Sequence, residues 1–328
     1  MRIVFFAKSK RRTRTTRYIA AALRREGHRV WLVNERKRRR AVGASLAREW
    51  IVRGVRRFGP DLVLIHSNDV SPETLGALAG GSRTVMFTPD CWNAPFSGDL
   101  VELAKRVDLL LTVAKGQIPQ LLDAGVKRAA YLAEACDPSA HFPVDDVAGR
   151  WRSDVAFIGK TSADSPRSAA RRELVHRVWE RFDTKVYGRG WEALGIEPQR
   201  RDLFAPDYPR VCRGARVVLG RDWTTDCDAY TSNRTWFTLG CGGFLLTSYS
   251  PGLEEIVTNR EHLVWYRSDD ECLELIEHYL ARPDERARIA ASGRAYVLAH
   301  RTYDHFARDL IARVEGREPD FPPGLSSR

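Results

Sequence analysis

Long apolar runs are missing from this 328-residue chain. No stretch approaches the ~18 consecutive apolar residues that a membrane-crossing helix requires. The opening, MRIVFFAKSKRR, reads as a short strand followed by charge rather than as a secretion signal. Cysteine is sparse and unpatterned. Cys91, Cys136, Cys212, Cys227, Cys241 and Cys272 show no C-x-x-C spacing, which argues against a zinc site and fits a reducing compartment. A cytoplasmic protein is the expectation. Internal repeats are absent, and so are low-complexity segments other than short basic runs. Acidic residues are scarce in one region: residues 1–60 hold Glu26, Glu35 and Glu49 against 19 lysines and arginines, a formal +16. The whole chain is +11, so the other 268 residues sum to −5, and the basic character belongs to the N-terminal part alone.

What is present suffices for two domains, since 43% of the residues are hydrophobic. Short apolar strands alternate with helices. Strands are expected at Arg2–Phe6, Arg29–Val33, Asp61–Ile65, Thr84–Thr88, Leu109–Val113 and Ala129–Leu132 in the first half, with helices at about Thr16–Gly27 and Ala44–Phe58. This alternation predicts a parallel, doubly wound sheet, whose ligands bind beyond the carboxyl ends of its strands. Two basic loops, one holding Lys8, Lys10, Arg11, Arg12 and Arg14 and the other Arg36, Lys37 and Arg38, follow strands and are placed on that rim. A concentrated basic rim attracts a polyanion or an anionic membrane surface. Ala133 to Gly149, with two prolines and three aspartates, reads as the interdomain linker.

The second half repeats the pattern, with strands at Asp154–Ile158, Lys185–Tyr187, Val217–Gly220, Phe244–Thr247 and His262–Tyr266, and late helices at Asp269–Leu280, Pro283–Ala299 and Tyr303–Val314. Gly159-Lys160-Thr161 invites a phosphate-loop reading, but the required glycine would stand at Asp154, so a P-loop NTPase is rejected. Gly188-Arg189-Gly190-Trp191 is a poor dinucleotide fingerprint and reads as a tight loop at a strand end. The most informative stretch is Tyr230 to Val257, YTSNRTWFTLGCGGFLLTSYSPGLEEIV. Ser232 is expected to cap a helix over Asn233–Gly240, and Pro251 and Gly252 to turn the chain into a further helix near Leu253. Two helix N-termini near one strand end, with Arg234 in the first turn of one, make a place for an anion.

The run S-x-R-x-W, then LGCGGFLLT, PGLEE, HLVWY and a late HRTY, resembles the C-terminal half of the CgeB-like, spore-maturation-protein-type glycosyltransferases, over roughly Ser153 to Leu310. The resemblance implies a GT-B architecture: two Rossmann-like α/β domains, 1–145 and 150–315, facing across a cleft, with a disordered tail at 316–328. It implies transfer of a sugar from a nucleotide donor, UDP or another nucleoside diphosphate, to a hydroxyl, with no tightly bound cofactor and no metal. The D-x-D of Asp226 and Asp228 is accordingly read as a loop. Donor binding is assigned to Gly159, Lys160, Arg171, Arg189, Ser232, Asn233, Arg234, Gly252, Glu254 and Glu255, with Arg171 or Arg172 assisting at the diphosphate and Arg189 or Trp191 expected near the nucleotide. Many relatives hold the donor ribose with a glutamate where this chain has Phe237. Asp90, Asp69 and His66 follow strands in the first domain, and one of them is the expected general base, Asp90 ranked first. The acceptor is expected to be anionic, an envelope polymer or a lipid at the inner membrane surface. Alternatives are a modified DNA base, or nucleic-acid binding on a scaffold without chemistry.

Overall fold

The computed structural model describes residues 1–8, 15–92, 96, 98–162, 165 and 168–317. The chain divides into two units, Met1–Ala133 with Tyr303–Arg328, and Glu134–Thr302.

The first unit is built on six parallel strands, β1 (Arg2–Phe6), β2 (Arg29–Val33), β3 (Leu62–His66), β4 (Arg83–Thr88), β5 (Leu109–Thr112) and β6 (Ala129–Tyr131), in the order β2-β1-β3-β4-β5-β6. Ile3 to Phe6 and Leu62 to Ile65 are buried throughout, as expected of strands covered on both faces. Phe6 pairs in register with Val33 on one side and Ile65 on the other. The chain leaves β1 for β2 on one side and reaches β3 on the other, so the switch point of this sheet lies at the carboxyl ends of β1 and β3.

Helix α1 (Thr15–Arg25) follows β1. The second basic run, expected as a loop, is helix α2 (Glu35–Val42), followed directly by α3 (Ala44–Phe58). Arginine and lysine are good helix formers when they can stay solvated, and the ends of α2 are well defined. Asn34 Oδ1 accepts the Lys37 amide at 2.9 Å. The buried Glu35 carboxylate accepts the Ser71 amide at 2.8 Å, the Ser71 hydroxyl at 2.7 Å and the Thr74 hydroxyl at 2.8 Å. That network ties α2 to the start of α4 (Pro72–Ala77). Two short helices, α5 (Asp99–Ala104) and α6 (Ile118–Asp123), complete the first run.

The second unit has five parallel strands, β7 (Ser153–Ile158), β8 (Thr184–Tyr187), β9 (Ala215–Gly220), β10 (Leu245–Ser248) and β11 (Val264–Tyr266), in the order β11-β10-β9-β7-β8. Its switch point is therefore at the carboxyl ends of β7 and β9. Helices α7 (Ala169–Arg181), α8 (Asp207–Gly214), α9 (Asn233–Gly240), α10 (Asp269–Leu280) and α11 (Pro283–His300) surround it. Helix α9 has the expected bounds. The helix expected after Gly252 is a single 3-10 turn, Leu253–Glu255.

Two expectations about organisation differ from the structure. The supposed linker is mostly part of the second unit: Ala135, Cys136, Asp137 and His141 are buried, and the Cys136 amide donates to Arg301 O at 2.9 Å. The last helix, α12 (Tyr303–Glu315), belongs to the first unit. Tyr303 stacks on Tyr18 at 5.8 Å, Phe306 meets Phe87 edge-on at 5.0 Å, and Arg25 pairs with Asp304 at 2.8 Å. The apolar face of α12 thus completes the core of a sheet whose last strand lies more than 170 residues earlier in the chain. Residues 318–328, most of the expected tail, lie outside the described residues.

Candidate active site

At the carboxyl end of β7 the chain turns through Gly159, Lys160 and Thr161. The loop after β8 lies directly against it: the Thr161 amide donates to Arg189 O at 2.8 Å and the Trp191 indole donates to Gly159 O at 2.8 Å. Such contact needs glycine. Gly188 has φ +136° and Gly190 φ +90°, and an added Cβ would stand 2.2 Å from Gly159 O and 2.3 Å from Thr161 O respectively.

Two arginines reach into this switch point. Arg171, on α7 and only 2% exposed, donates Nε to Arg221 O at 3.0 Å and Nη1 to Lys160 O at 3.0 Å. Its guanidinium lies 4.0 Å from the Trp223 ring centroid. Burial, helped by the neighbouring Arg234 charge, pulls its pKa down to about 9. Arg234, in the first turn of α9, donates Nε to Ile158 O, approaches Arg221 O at 3.5 Å, and pairs with Asp222 at 3.2 Å. The side chains of both partners are nearly buried, so Arg234 fastens the β7 and β9 loops together.

Several polar atoms on these same loops are buried and have no hydrogen-bond partner among the described residues: Arg171 Nη2, Thr161 Oγ1, Ser168 Oγ, Thr231 Oγ1 and Ser232 Oγ. Buried polar groups are ordinarily satisfied, and each orphan costs about 1–3 kcal/mol. All five can donate, which is the complement of an anion. Ser232 occupies the N-cap position of α9 with extended backbone, but its side chain makes no capping bond, contrary to expectation.

The remaining expected donor residues are more dispersed. Arg189 is exposed and pairs with Asp202 at 2.6 Å. Asn233 opens α9. Gly252 takes φ +77°, where a Cβ would stand 2.3 Å from Asp228 Oδ1, so its role is to let the β10 loop pass Asp228. Glu254 and Glu255 are exposed on the 3-10 turn, and Glu254 accepts the Tyr249 hydroxyl at 3.0 Å. Arg172 donates to Ser162 O at the loop edge. Trp191, expected near a nucleotide, is instead a fully buried core residue packed edge-on to Phe157. Phe237 stacks on His141 at 3.9 Å. His141 Nδ1 accepts the Asp137 amide at 3.0 Å, and burial draws its pKa down to about 4.

In the first unit, the switch point gathers Lys8, His66 and Asp69. Lys8 Nζ pairs with Asp69 Oδ1 at 3.0 Å, and its amide donates to Oδ2 at 2.8 Å. His66 Nδ1 lies 3.8 Å from the same carboxylate. Burial lowers the His66 pKa to about 4, against the pull of Asp69, and Nε2 has no partner among the described residues. Asp90 is exposed beyond β4, its carbonyl accepting from Thr88 Oγ1 at 3.4 Å. Lys10, Arg11, Arg12 and Arg14 fall outside the described residues, whereas Arg36, Lys37 and Arg38 sit on α2.

Sequence reasoning passed over Asp222, Trp223, Thr231 and Ser168. A signal existed for the first two, because Arg221-Asp222-Trp223 follows a strand buried from Val217 to Gly220 at the switch point. Among the described residues, no group of three or more His, Cys, Asp or Glu side chains is arranged to hold a metal ion. All six cysteines are buried, and none of them is in a disulfide among the described residues.

Residues 167–312 match the family model described as glycosyl transferase-like. No curated protein matches the chain. Among solved structures, the chain is similar to HepE (Alr3699) from Anabaena in complex with UDP and glucose, at TM-score 0.66 and 13% identity over 96% of this chain and 100% of that one. It is similar to a sucrose-phosphate synthase from Thermosynechococcus elongatus at TM-score 0.67 and 10% identity, covering 96% and 98%. It also resembles AviGT4, a glycosyltransferase involved in avilamycin A biosynthesis, at TM-score 0.60 and 14% identity, covering 96% and 97%. Identities this low show the fold, which is GT-B. A glycosyl transferase-like sequence over most of the second unit and the GT-B fold of both units together make this chain an enzyme of the glycosyltransferase class.

Proposed function

We propose that the chain transfers a sugar from a nucleoside-diphosphate donor, UDP-linked in the first instance, to a hydroxyl of an anionic acceptor. The observation that carries this reading is the set of buried donors at the β7 and β9 carboxyl ends that have no partner among the described residues, beside a buried arginine that pairs with no carboxylate among them. A diphosphate supplies the acceptors these groups lack. HepE, of the same fold, is solved with UDP and with UDP-glucose, which supports UDP as the first donor to test. The ordered motif from Ser232 to Glu255 supports placement near the CgeB-like enzymes.

In the proposed reaction the acceptor oxygen bonds to the sugar's anomeric carbon, the bond from that carbon to the diphosphate oxygen breaks, and the nucleoside diphosphate leaves. Lys160, Arg171 and the N-terminus of α9 stabilise charge growing on the leaving group, the main catalytic term open to such a site. The acceptor proton passes to a base in the first unit. His66 fits that role better than Asp90, because it is neutral at physiological pH and its Nε2 is unpartnered, while Asp69 faces its other nitrogen. The +16 charge of residues 1–60 supports an anionic acceptor. Thermal-shift screening of nucleotide sugars, followed by an assay for release of nucleoside diphosphate, tests the proposal. Stabilisation by no donor would remove it.

A further inference from the structure

Among the described residues, large apolar side chains are exposed at few places, and three of them fall within nine residues of sequence. Val42 is 51% exposed, Leu46 62% and Trp50 45%. They lie on the α2–α3 pair, whose residues 35–57 carry nine basic and two acidic side chains. Of the two acids, Glu35 is buried in its network with Ser71 and Thr74, and Glu49 is paired with Arg53 at 2.6 Å. The free charge of the pair is therefore almost wholly positive.

The arrangement on α3 is ordered. Ala47, Ile51, Val52 and Val55 face the core, whereas Leu46, Trp50, Arg53 and Arg57 recur at i, i+4, i+7 and i+11 and share an outer stripe. Arg38 of α2 stacks 3.2 Å over the Trp50 ring, and Trp31 of β2 supports that ring edge-on at 5.9 Å. Trp50 is thus held outward on a packed base rather than folded away. Arg36, Lys37, Arg39, Arg40, Arg48, Arg56 and Arg57 are exposed around it.

We propose that this α2–α3 face docks the enzyme peripherally on an anionic lipid bilayer, with Leu46 and Trp50 at headgroup depth and the arginines on lipid phosphates. Exposed tryptophan and leucine bordered by arginine are the chemistry of an interfacial helix, and each basic residue near an anionic surface adds attraction that salt weakens. Charge alone would suit a soluble polyanion equally well, but an outward apolar stripe has no use on a hydrated polymer. The inference stands on this surface and is independent of the donor site proposed above.

The test is flotation of the full chain with phosphatidylcholine vesicles, with and without phosphatidylglycerol, at about 0.05 M and about 0.5 M salt. The doubly substituted Leu46→Glu/Trp50→Glu protein and the charge variant Arg53→Glu/Arg57→Glu are compared with it. The wild type is expected on phosphatidylglycerol vesicles only, with partial release at high salt. Each variant is expected to bind at least about tenfold more weakly, while keeping the wild-type melting temperature and its nucleotide-sugar hydrolysis in solution. Equal binding by Leu46→Glu/Trp50→Glu overturns the proposal, as does the absence of vesicle binding by the wild type. Tight salt-sensitive binding to duplex DNA or to an anionic polysaccharide, without vesicle binding, overturns it in favour of a soluble polyanion.

Discussion

Arg171 is the side chain whose replacement separates a ligand site from a structural one. Burial pulls its pKa down to about 9, which disfavours the charged form in the fold by about 5 kcal/mol. Because the folded pKa is depressed, this cost is fully present below about pH 9, physiological pH included. Against it stand the bonds to Lys160 O and Arg221 O. Deleting the guanidinium orphans both carbonyls, at about 1–3 kcal/mol each. Arg171→Met, which keeps length and apolar packing on Trp223, is therefore expected to leave stability within about 3 kcal/mol of the wild type. If a donor diphosphate accepts from Nη2, the same substitution removes charge-assisted bonds and costs at least about 3 kcal/mol of binding, two orders of magnitude in affinity. Urea unfolding and titration calorimetry with UDP measure the two quantities on one preparation. A variant that loses more than about 5 kcal/mol of stability yet binds UDP unchanged would refute this reasoning, because Arg171 would then be a structural brace alone.

Other outcomes follow from the same geometry. Arg234→Ala leaves Asp222 buried without its cation and strips the Ile158 carbonyl, so we expect about 3–5 kcal/mol of destabilisation, read as a lowered urea midpoint. Gly188→Ala drives a Cβ onto Gly159 O, and its melting temperature and UDP affinity should fall together. His141 is neutral in the fold and charged when unfolded between about pH 4 and 6.5. Stability should therefore fall as pH drops through that window, by about 3 kcal/mol for this residue. His141→Asn, which keeps an acceptor for the Asp137 amide, should flatten the slope of stability against pH by up to one proton; an unchanged slope would contradict the buried neutral imidazole. His66→Gln should lower kcat with acceptor much more than it lowers nucleotide affinity, by about 100-fold or more if His66 is the base.

Much of the fold was legible because parallel strands buried on both faces read as continuous apolar runs, as in Arg2–Phe6, and the half-buried edge strand Arg29–Val33 also stands where it was expected. Helix α9 was legible from Ser232 before it and the glycines after it. Helix α2 was hidden because its five exposed or half-exposed cations show no apolar stripe, and the buried Glu35 that anchors it looks like one more charge in a charged run. Residues 134–141 read as linker because Asp137 and His141 look like solvated polar residues, whereas they bond locally to each other and to Ser139, and the His141 ring packs on Phe237 and Tyr208 from far along the chain. Trp191 illustrates the same limit: its glycine neighbours suggested a ligand loop, yet those glycines serve the contact with Gly159 and Thr161. The candidate donor site was legible at Lys160, Arg171 and Arg234 as cations near strand ends. That Arg234 is paired with Asp222 while Arg171 keeps a buried Nη2 without a partner among the described residues became visible only from their hydrogen bonds, since both occupy comparable positions in the sequence.

The central claim is that the switch point of the second unit binds the diphosphate of a nucleotide sugar. The most direct measurement is release of nucleoside diphosphate from a panel of nucleotide sugars, run side by side with wild-type and Arg171→Met protein. Slow hydrolysis of one donor by the wild type, lost in a variant that remains folded, is the expected result. Hydrolysis of no donor together with no detectable binding of UDP, or equal hydrolysis by both proteins, would contradict it.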